Sequence, residues 1–288
     1  MEFLEALHKS PAALMFTVAV LGLCVGSLLN VVIHRLPKMM EAQWREECAA
    51  LDGREAAPAE TYNLFTPRSA CPQCKAPITA LQNVPVLSWL VLRGKCARCR
   101  TPISARYPLV ELLGGALAML AAWRYGYSAA LAFALVYMWV MLALTFIDLD
   151  TQLLPDDLTL PLLWAGLIAN TFGVFTDLAS AVLGAAGGYM ILWSVYWGFR
   201  LLTKKEGMGF GDFKLLAAIG AWTGWQVLPV AILVSAGLGA VIGSLVLWLA
   251  KKGADTRIPF GPYLALGGIV ALLWGREAVT AWVGRFPV

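Results

Sequence analysis

An all-α polytopic membrane protein, with about eight transmembrane helices and a polar cytoplasmic loop domain between the first two, is the fold class this sequence predicts. Three observations predict it. The 288 residues are 59% hydrophobic and only 14% charged, where a soluble globular domain carries about 25%. The apolar residues are gathered into runs of roughly 20, long enough to cross a hydrocarbon core about 30 Å thick. The remaining charge lies between those runs, where it sets topology. The net charge of +4 is therefore no argument for a nucleic-acid partner. The partner that composition implies is membrane lipid.

The first run, residues 12–33 (AALMFTVAVLGLCVGSLLNVVI), ends against Asn30, His34 and Arg35. It is too long and too polar at that end for a cleaved leader, and is read as a retained span. Residues 35–106 form the one long polar segment and hold 11 of the 22 Lys and Arg residues. That excess places the segment in the cytoplasm and the N-terminus outside. Residues 107–123 then lead outward to a turn at 124–128, and 129–147 lead back in to Asp148. The loop 148–157 is cytoplasmic. Residues 158–175 go out, Thr176 and Asp177 turn, and 178–199 return to a loop carrying Arg200, Lys204 and Lys205. Residues 213–249 lie between two basic loops and must cross twice, turning at Thr223-Gly224-Trp225-Gln226. The piece 213–222 is short at about 1.5 Å per residue, and is expected to be tilted or re-entrant. Lys251, Lys252 and Arg257 mark the last inner loop, and 262–282 leave again, so both termini lie outside. The chain divides into a first transmembrane segment (1–34), a cytoplasmic domain (35–106) and a transmembrane domain (107–288). Glycines clustered at Gly184, Gly187 and Gly188, and at Gly237, Gly239 and Gly243, suit close helix packing.

The polar segment carries Cys71-Pro-Gln-Cys74 and, 21 residues on, Cys96-Ala-Arg-Cys99. Two such knuckles predict a tetrahedral four-cysteine zinc site. Four thiolates close the coordination sphere, so the metal is structural. It would fold a loop that has little core of its own. Two disulfide or redox pairs are the competing reading, disfavoured in a reducing cytoplasm. Cys24 and Cys48 have no partner pattern.

Two acidic features flank apolar runs on the cytoplasmic side. One is Asp148-Leu-Asp150 with Pro155-Asp156-Asp157. The other is Gly209-Phe-Gly211-Asp212. Carboxylates at membrane depth are costly and mark functional sites. Asp148 and Asp212 are the candidate pair for an aspartyl protease. Two carboxyls sharing a site cannot both ionise easily, so one serves as acid and the other as base toward a water. Gly209 and Gly211 lack a Cβ and would let a substrate backbone approach closely. Asp150, Asp156 and Asp157 also fit a solvated loop or a helix N-terminus.

With these residues the sequence resembles the bacterial type IV prepilin peptidases, bifunctional leader peptidases and N-methyltransferases. The resemblance runs over nearly the whole chain. It is carried by Gly26-Ser27-Leu-Leu-Asn30-Val-Val-Ile-His-Arg35-Leu-Pro37, both cysteine pairs, Tyr107-Pro-Leu-Val-Glu111, Asp148 with Leu154-Pro155-Asp156, Gly209-Phe-Gly211-Asp212 and Pro259-Phe-Gly261-Pro262. It implies an inner-membrane aspartyl peptidase whose catalytic pair falls on Asp148 and Asp212. The implied substrates are type IV prepilins and type II secretion pseudopilins, cut after Gly and usually before Phe at the cytoplasmic face. It further implies methylation of the new N-terminus with S-adenosylmethionine, involving the polar segment. Asn30, Arg35 and Glu111 are methyltransferase candidates by resemblance alone. The segment shows no Gly-x-Gly-x-x-Gly nucleotide fingerprint, and helix–helix hydrogen bonding and snorkelling account for the three residues equally well.

Two other classes compete. A proton-coupled transporter would use the same aspartates as a relay, but favours acids at the midplane in broken helices. A metal-organised scaffold without chemistry gives no reason for glycines beside Asp212.

Overall fold

In hydrocarbon every backbone polar group must be satisfied within the segment, so an apolar run becomes a helix. A computed structural model of the protein describes residues 2–53, 62–205, 207–250 and 258–284. Among them are α1 (Glu2–Lys9), α2 (Pro11–Leu51), α3 (Leu87–Val91), α4 (Arg106–Tyr125), α5 (Ala129–Thr151), α6 (Asp156–Thr171), α7 (Leu178–Thr203), α8 (Phe210–Thr223), α9 (Leu228–Ala250) and α10 (Gly261–Val283). Strand pairing among the described residues is limited to two isolated bridges, Ala70 with Pro77 and Lys95 with Pro102. Arg54 and the expected inner-loop markers Lys251, Lys252 and Arg257 lie outside the described residues.

Each of the eight expected spans falls on a helix. Five helices are long and apolar enough to cross a membrane: α2, α5, α7, the stretch Trp225–Leu249 containing α9, and α10. The other three differ for identifiable reasons. α4 carries Arg106, Glu111 and Arg124 within its 20 residues, while α6 and α8 have only 16 and 14.

The chain forms two compact units, Met1–Tyr127 and Ser128–Val288. In the first, Ser10 caps α2 by accepting from the Ala13 amide, with Pro11 at the first helical position. The expected span ends near Ile33, yet α2 continues through Pro37 to Leu51. Pro37 removes one ladder bond. The residues beyond it are good helix formers, braced by a Glu41–Arg45 ion pair and a Gln43–Glu47 hydrogen bond at i,i+4. α2 and α4 cross backbone to backbone. A Cβ on Gly22 would lie 2.5 Å from the Gly114 carbonyl oxygen, and one on Gly26 would lie 2.6 Å from Glu111 Cα. Gly22 and Gly26 are thus the small-xxx-small seam of this pair.

The second unit is built around α8. From Asp212 to Thr223 every residue except Lys214 is buried. α7 approaches through glycine on both sides: a Cβ on Gly220 would lie 2.0 Å from the Gly184 carbonyl oxygen. From α6, Gly166 receives the Trp222 ring, whose Nε1 donates to the Leu162 carbonyl at 2.7 Å. Asn170 donates to the Ala221 and Trp222 carbonyls and accepts from the Phe175 and Thr176 amides, closing the far end of α8. Wrapped by protein, α8 needs only about 21 Å of length at 1.5 Å per residue.

Candidate active site and metal centre

The two cysteine knuckles repeat one local fold: Cys71-Pro-Gln-Cys74-Lys75-Ala76-Pro77 and Cys96-Ala-Arg-Cys99-Arg100-Thr101-Pro102. In each, the first cysteine's amide donates to the carbonyl five residues on, Ala76 or Thr101, at 2.9 and 2.8 Å. The residue after the second cysteine, Lys75 or Arg100, turns the chain with φ of 56° or 63°. The turns aim four sulfurs at one point. All four Sγ atoms lie within 4.8 Å of one another, with Cys71–Cys99 at 3.7 Å and Cys74–Cys96 at 4.0 Å. A tetrahedral ion with metal–sulfur bonds near 2.3 Å requires sulfurs about 3.8 Å apart, so the set can hold a metal ion. All four are free thiols. The Thr101 hydroxyl and amide bring the Cys99 thiol down to about 6. At Cys74 the Ala76 amide pulls the other way, but desolvation and the three neighbouring thiols push it up to about 11. Thiolates this close repel, and a divalent cation removes that cost.

The acidic site lies within the second unit. Asp148 is in the last turn of α5 and only 5% exposed; Asp212 is in the first turn of α8 and 6% exposed. Asp212 Oδ2 accepts from the Gly209 amide at 3.2 Å, reaching back as a capping acid does. Asp148 Oδ2 accepts from the Gly261 amide at 2.9 Å, at the first residue of α10. Each carboxyl therefore meets a backbone N–H at the start of a helix. They are near enough for their charges to interact. Leu154 joins the two halves: a Cβ on Gly211 would lie 2.7 Å from Leu154 Cβ, and one on Gly261 would lie 3.1 Å from Leu154 Cδ2 and 2.6 Å from Asp148 Oδ2. So the gap at Gly211 is filled by the chain's own Leu154, against the expectation of open backbone access there. At Gly209 a Cβ would meet nothing nearer than 3.9 Å.

Of the other acids, Asp156 receives both bonds of the Lys214 ammonium at 2.7 Å, tying the start of α6 to α8. Asp150 and Asp157 are exposed. Sequence reasoning gave no role to Gly261 or Leu154. Their signal was positional: Gly261 precedes a proline at the second position of α10, and Leu154 sits in the link between α5 and α6.

The three residues named by resemblance for methyl transfer all lie in the first unit, bound to the chain's own backbone. Asn30 Nδ2 donates to the Tyr107 carbonyl at 3.0 Å. The buried Arg35 donates to the Asn63 and Pro67 carbonyls at 2.8 and 2.6 Å, with Tyr62 beside its guanidinium. Buried Glu111 accepts from the Val86 amide at 2.8 Å. These bonds tie the loop to α2 and α4, and α2 to α4.

Residues 20–125 match the bacterial peptidase A24 N-terminal domain, and residues 135–244 match the type IV leader peptidase family. The prepilin leader peptidase/N-methyltransferases of Stutzerimonas stutzeri and Aeromonas hydrophila are each 53% identical, over 97% of both chains. That of Pseudomonas aeruginosa is 50% identical over 98% of both. No solved structure matches the chain. These likenesses favour the peptidase reading over the transporter. With identity of this order along nearly all of its length, the chain belongs to the family of prepilin leader peptidase/N-methyltransferases.

Proposed function

We propose that this protein is an aspartyl endopeptidase of the bacterial inner membrane that also methylates its product. It removes the leader of type IV prepilins and type II secretion pseudopilins after Gly at the cytoplasmic face. It then methylates the new N-terminal residue, usually Phe, with S-adenosylmethionine as donor. The carrying observation is the burial of Asp148 and Asp212 at one end of α5, α8 and α10, each on a helix-start amide. Two neighbouring carboxyls hold one proton between them. The ionised one takes a proton from water, whose oxygen attacks the scissile carbonyl. The protonated one donates to the carbonyl oxygen, and the amine leaves with a proton returned by the pair. The open side at Gly209 is the proposed approach for the substrate backbone.

The proposed topology has both termini periplasmic and the α5–α6, α7–α8 and α9–α10 links cytoplasmic. A prepilin with a basic leader and an apolar helix would then present its scissile bond at the interface. The polar segment 35–106 is assigned to methyl transfer. Its four cysteines would hold zinc, which holds the knuckles together when bound. Asn30, Arg35 and Glu111 are the candidate residues for the methyl-donor pocket, and each also bonds to backbone of the first unit.

The test is in vitro cleavage of a prepilin with a Gly-Phe junction by wild type, Asp148→Asn and Asp212→Asn, each checked for folding and bound metal. Both variants are expected to fold, keep metal and lose cleavage by about 10⁴-fold or more, as loss of an acid–base group dictates. Near-wild-type cutting by either removes that aspartate from the dyad.

A further inference from the structure

The short helix α3 lies in the segment whose charge marks it as cytoplasmic, yet its surroundings place it at membrane depth. Val86, just before α3, has φ 60° and ψ −50°, a conformation costly for a β-branched residue. Its amide is held by Glu111 Oε2 at 2.8 Å. Glu111 lies against Gly26, because a Cβ there would be 2.6 Å from Glu111 Cα. Gly26 is inside the apolar run of α2, and seven residues from its polar end at Ile33 correspond to about 10 Å of depth. A helical side chain leans toward its own N-terminus, so Glu111 reaches back toward the polar end by up to about one turn, or ~5 Å. Val86 and the start of α3 therefore sit roughly 5 Å below the end of the α2 span, within the depth range of interfacial helices.

The side chains of α3 agree with that depth. Trp89 turns inward, donating Nε1 to the Ile103 carbonyl at 3.1 Å, with its ring 2.9 Å from where a Gly94 Cβ would be. Leu87, Leu90 and Val91, spaced i, i+3 and i+4 on one face, are 62%, 56% and 81% exposed. Three bare aliphatic side chains on one helix turn are out of place in water but not in lipid. Arg93 and Lys95 follow immediately, as cations suited to anionic headgroups. On α4, Tyr107, Leu109 and Leu112 are also exposed.

We propose that α3 is an interfacial membrane element, with Leu87, Leu90 and Val91 embedded in the cytoplasmic leaflet and Glu111 fixing its depth. It would hold the metal knuckle that follows it against the bilayer. This rests on the reading of α2 as a membrane span, and the test separates the two. An environment-sensitive fluorescent amino acid is placed singly at Leu90, Val91, Leu28 or Phe65 of the full chain. Each protein is reconstituted in phosphatidylethanolamine–phosphatidylglycerol vesicles and exposed to lipids brominated near the top of the acyl chain, or to aqueous iodide. Leu28, exposed on the α2 span, is the lipid control; Phe65, 86% exposed in the polar segment, is the water control. Positions 90 and 91 are expected to be quenched by the bromolipid about threefold or more over Phe65, and to be shielded from iodide. Iodide quenching without bromolipid quenching overturns the proposal. Shielding from both quenchers also overturns it, since a protein partner would then cover the face. If Leu28 itself escapes the bromolipid, it is the span reading of α2 that fails.

Discussion

A methyl group added at Gly261 would lie 2.6 Å from Asp148 Oδ2, well inside van der Waals contact. Gly261→Ala is therefore expected to displace the Asp148 carboxyl or the start of α10, costing cleavage roughly 10²-fold through misplacement alone. Gly237→Ala is the matched control, since nothing lies within 4 Å of a Cβ there. Initial rates on one prepilin substrate compare the two. Glu111 offers a second contrast. In Glu111→Gln an amide oxygen can still accept from Val86. In Glu111→Leu the part-buried N–H of the strained Val86 loses its acceptor, at about 1 kcal/mol. Limited proteolysis near α3 is expected to speed up in the leucine variant and not in the glutamine one. Loss of methylation in Glu111→Gln with the loop intact would show a chemical need for the carboxylate. The contrast marks what the sequence made legible. Asp148, Asp212 and the four cysteines stand out because their side chains carry chemistry at a recognisable spacing. Gly261 and Leu154 act through a backbone amide and a packed methyl group, and Gly261 meets a partner 113 residues away. Local pattern marks their positions, before a proline and in the α5–α6 link, but not the contacts they make.

At the scale of elements, the decisive packing is glycine against backbone. Gly220→Ala would drive a Cβ to 2.0 Å from the Gly184 carbonyl oxygen. The helices would have to separate, and overpacking of this kind costs about 1–3 kcal/mol. On the same α7, Gly198 has nothing within 4 Å of its Cβ position. Gly198→Ala is expected to be neutral or to gain about 0.5–1 kcal/mol, since a helix interior favours Ala. The thermal midpoint in detergent should fall for Gly220→Ala and hold or rise for Gly198→Ala. The elements were legible where apolar length decided them, as in α5, α7 and α10. α2 was not, because a charged residue marks where the membrane ends and not where a helix ends. Helix-forming residues after Pro37 carried it on to Leu51. The piece 213–222 is short for a span, and the burial of α8 accounts for its length. Trp222, Asn170 and the glycines of α7 complete it with protein.

At the scale of the molecule, the residues proposed for the two activities occupy separate stretches of chain. The carboxyls and the contacts that hold them, Gly209, Gly211, Leu154 and Gly261, all fall within Ser128–Val288. The cysteines and the three residues named for methyl transfer fall within Met1–Tyr127. Removing the metal should therefore act unequally. Four thiols left without a cation separate, and a metal-organised loop loses the energy that folds it. The remaining ties are the Arg35 bonds to Asn63 and Pro67 and the Glu111 bond to Val86. They hold the margins of the segment, while the knuckles have local backbone bonds and a side-chain bond between them, from the Thr101 hydroxyl to Gln73. Chelator-treated protein, or Cys71→Ser with Cys96→Ser, is expected to be nicked by protease between residues 71 and 99. Such protein is also expected to lose methyl transfer. Cleavage should stay within a factor of about three of the holo rate, because sites that share no partners act independently and the residues that hold the carboxyls all belong to the other unit. The two activities are read separately, by the size of the cut product and by its N-terminal mass. Parallel loss of cleavage and metal would mean that the segment 35–106 also serves the peptidase, by presenting substrate to Asp148 and Asp212.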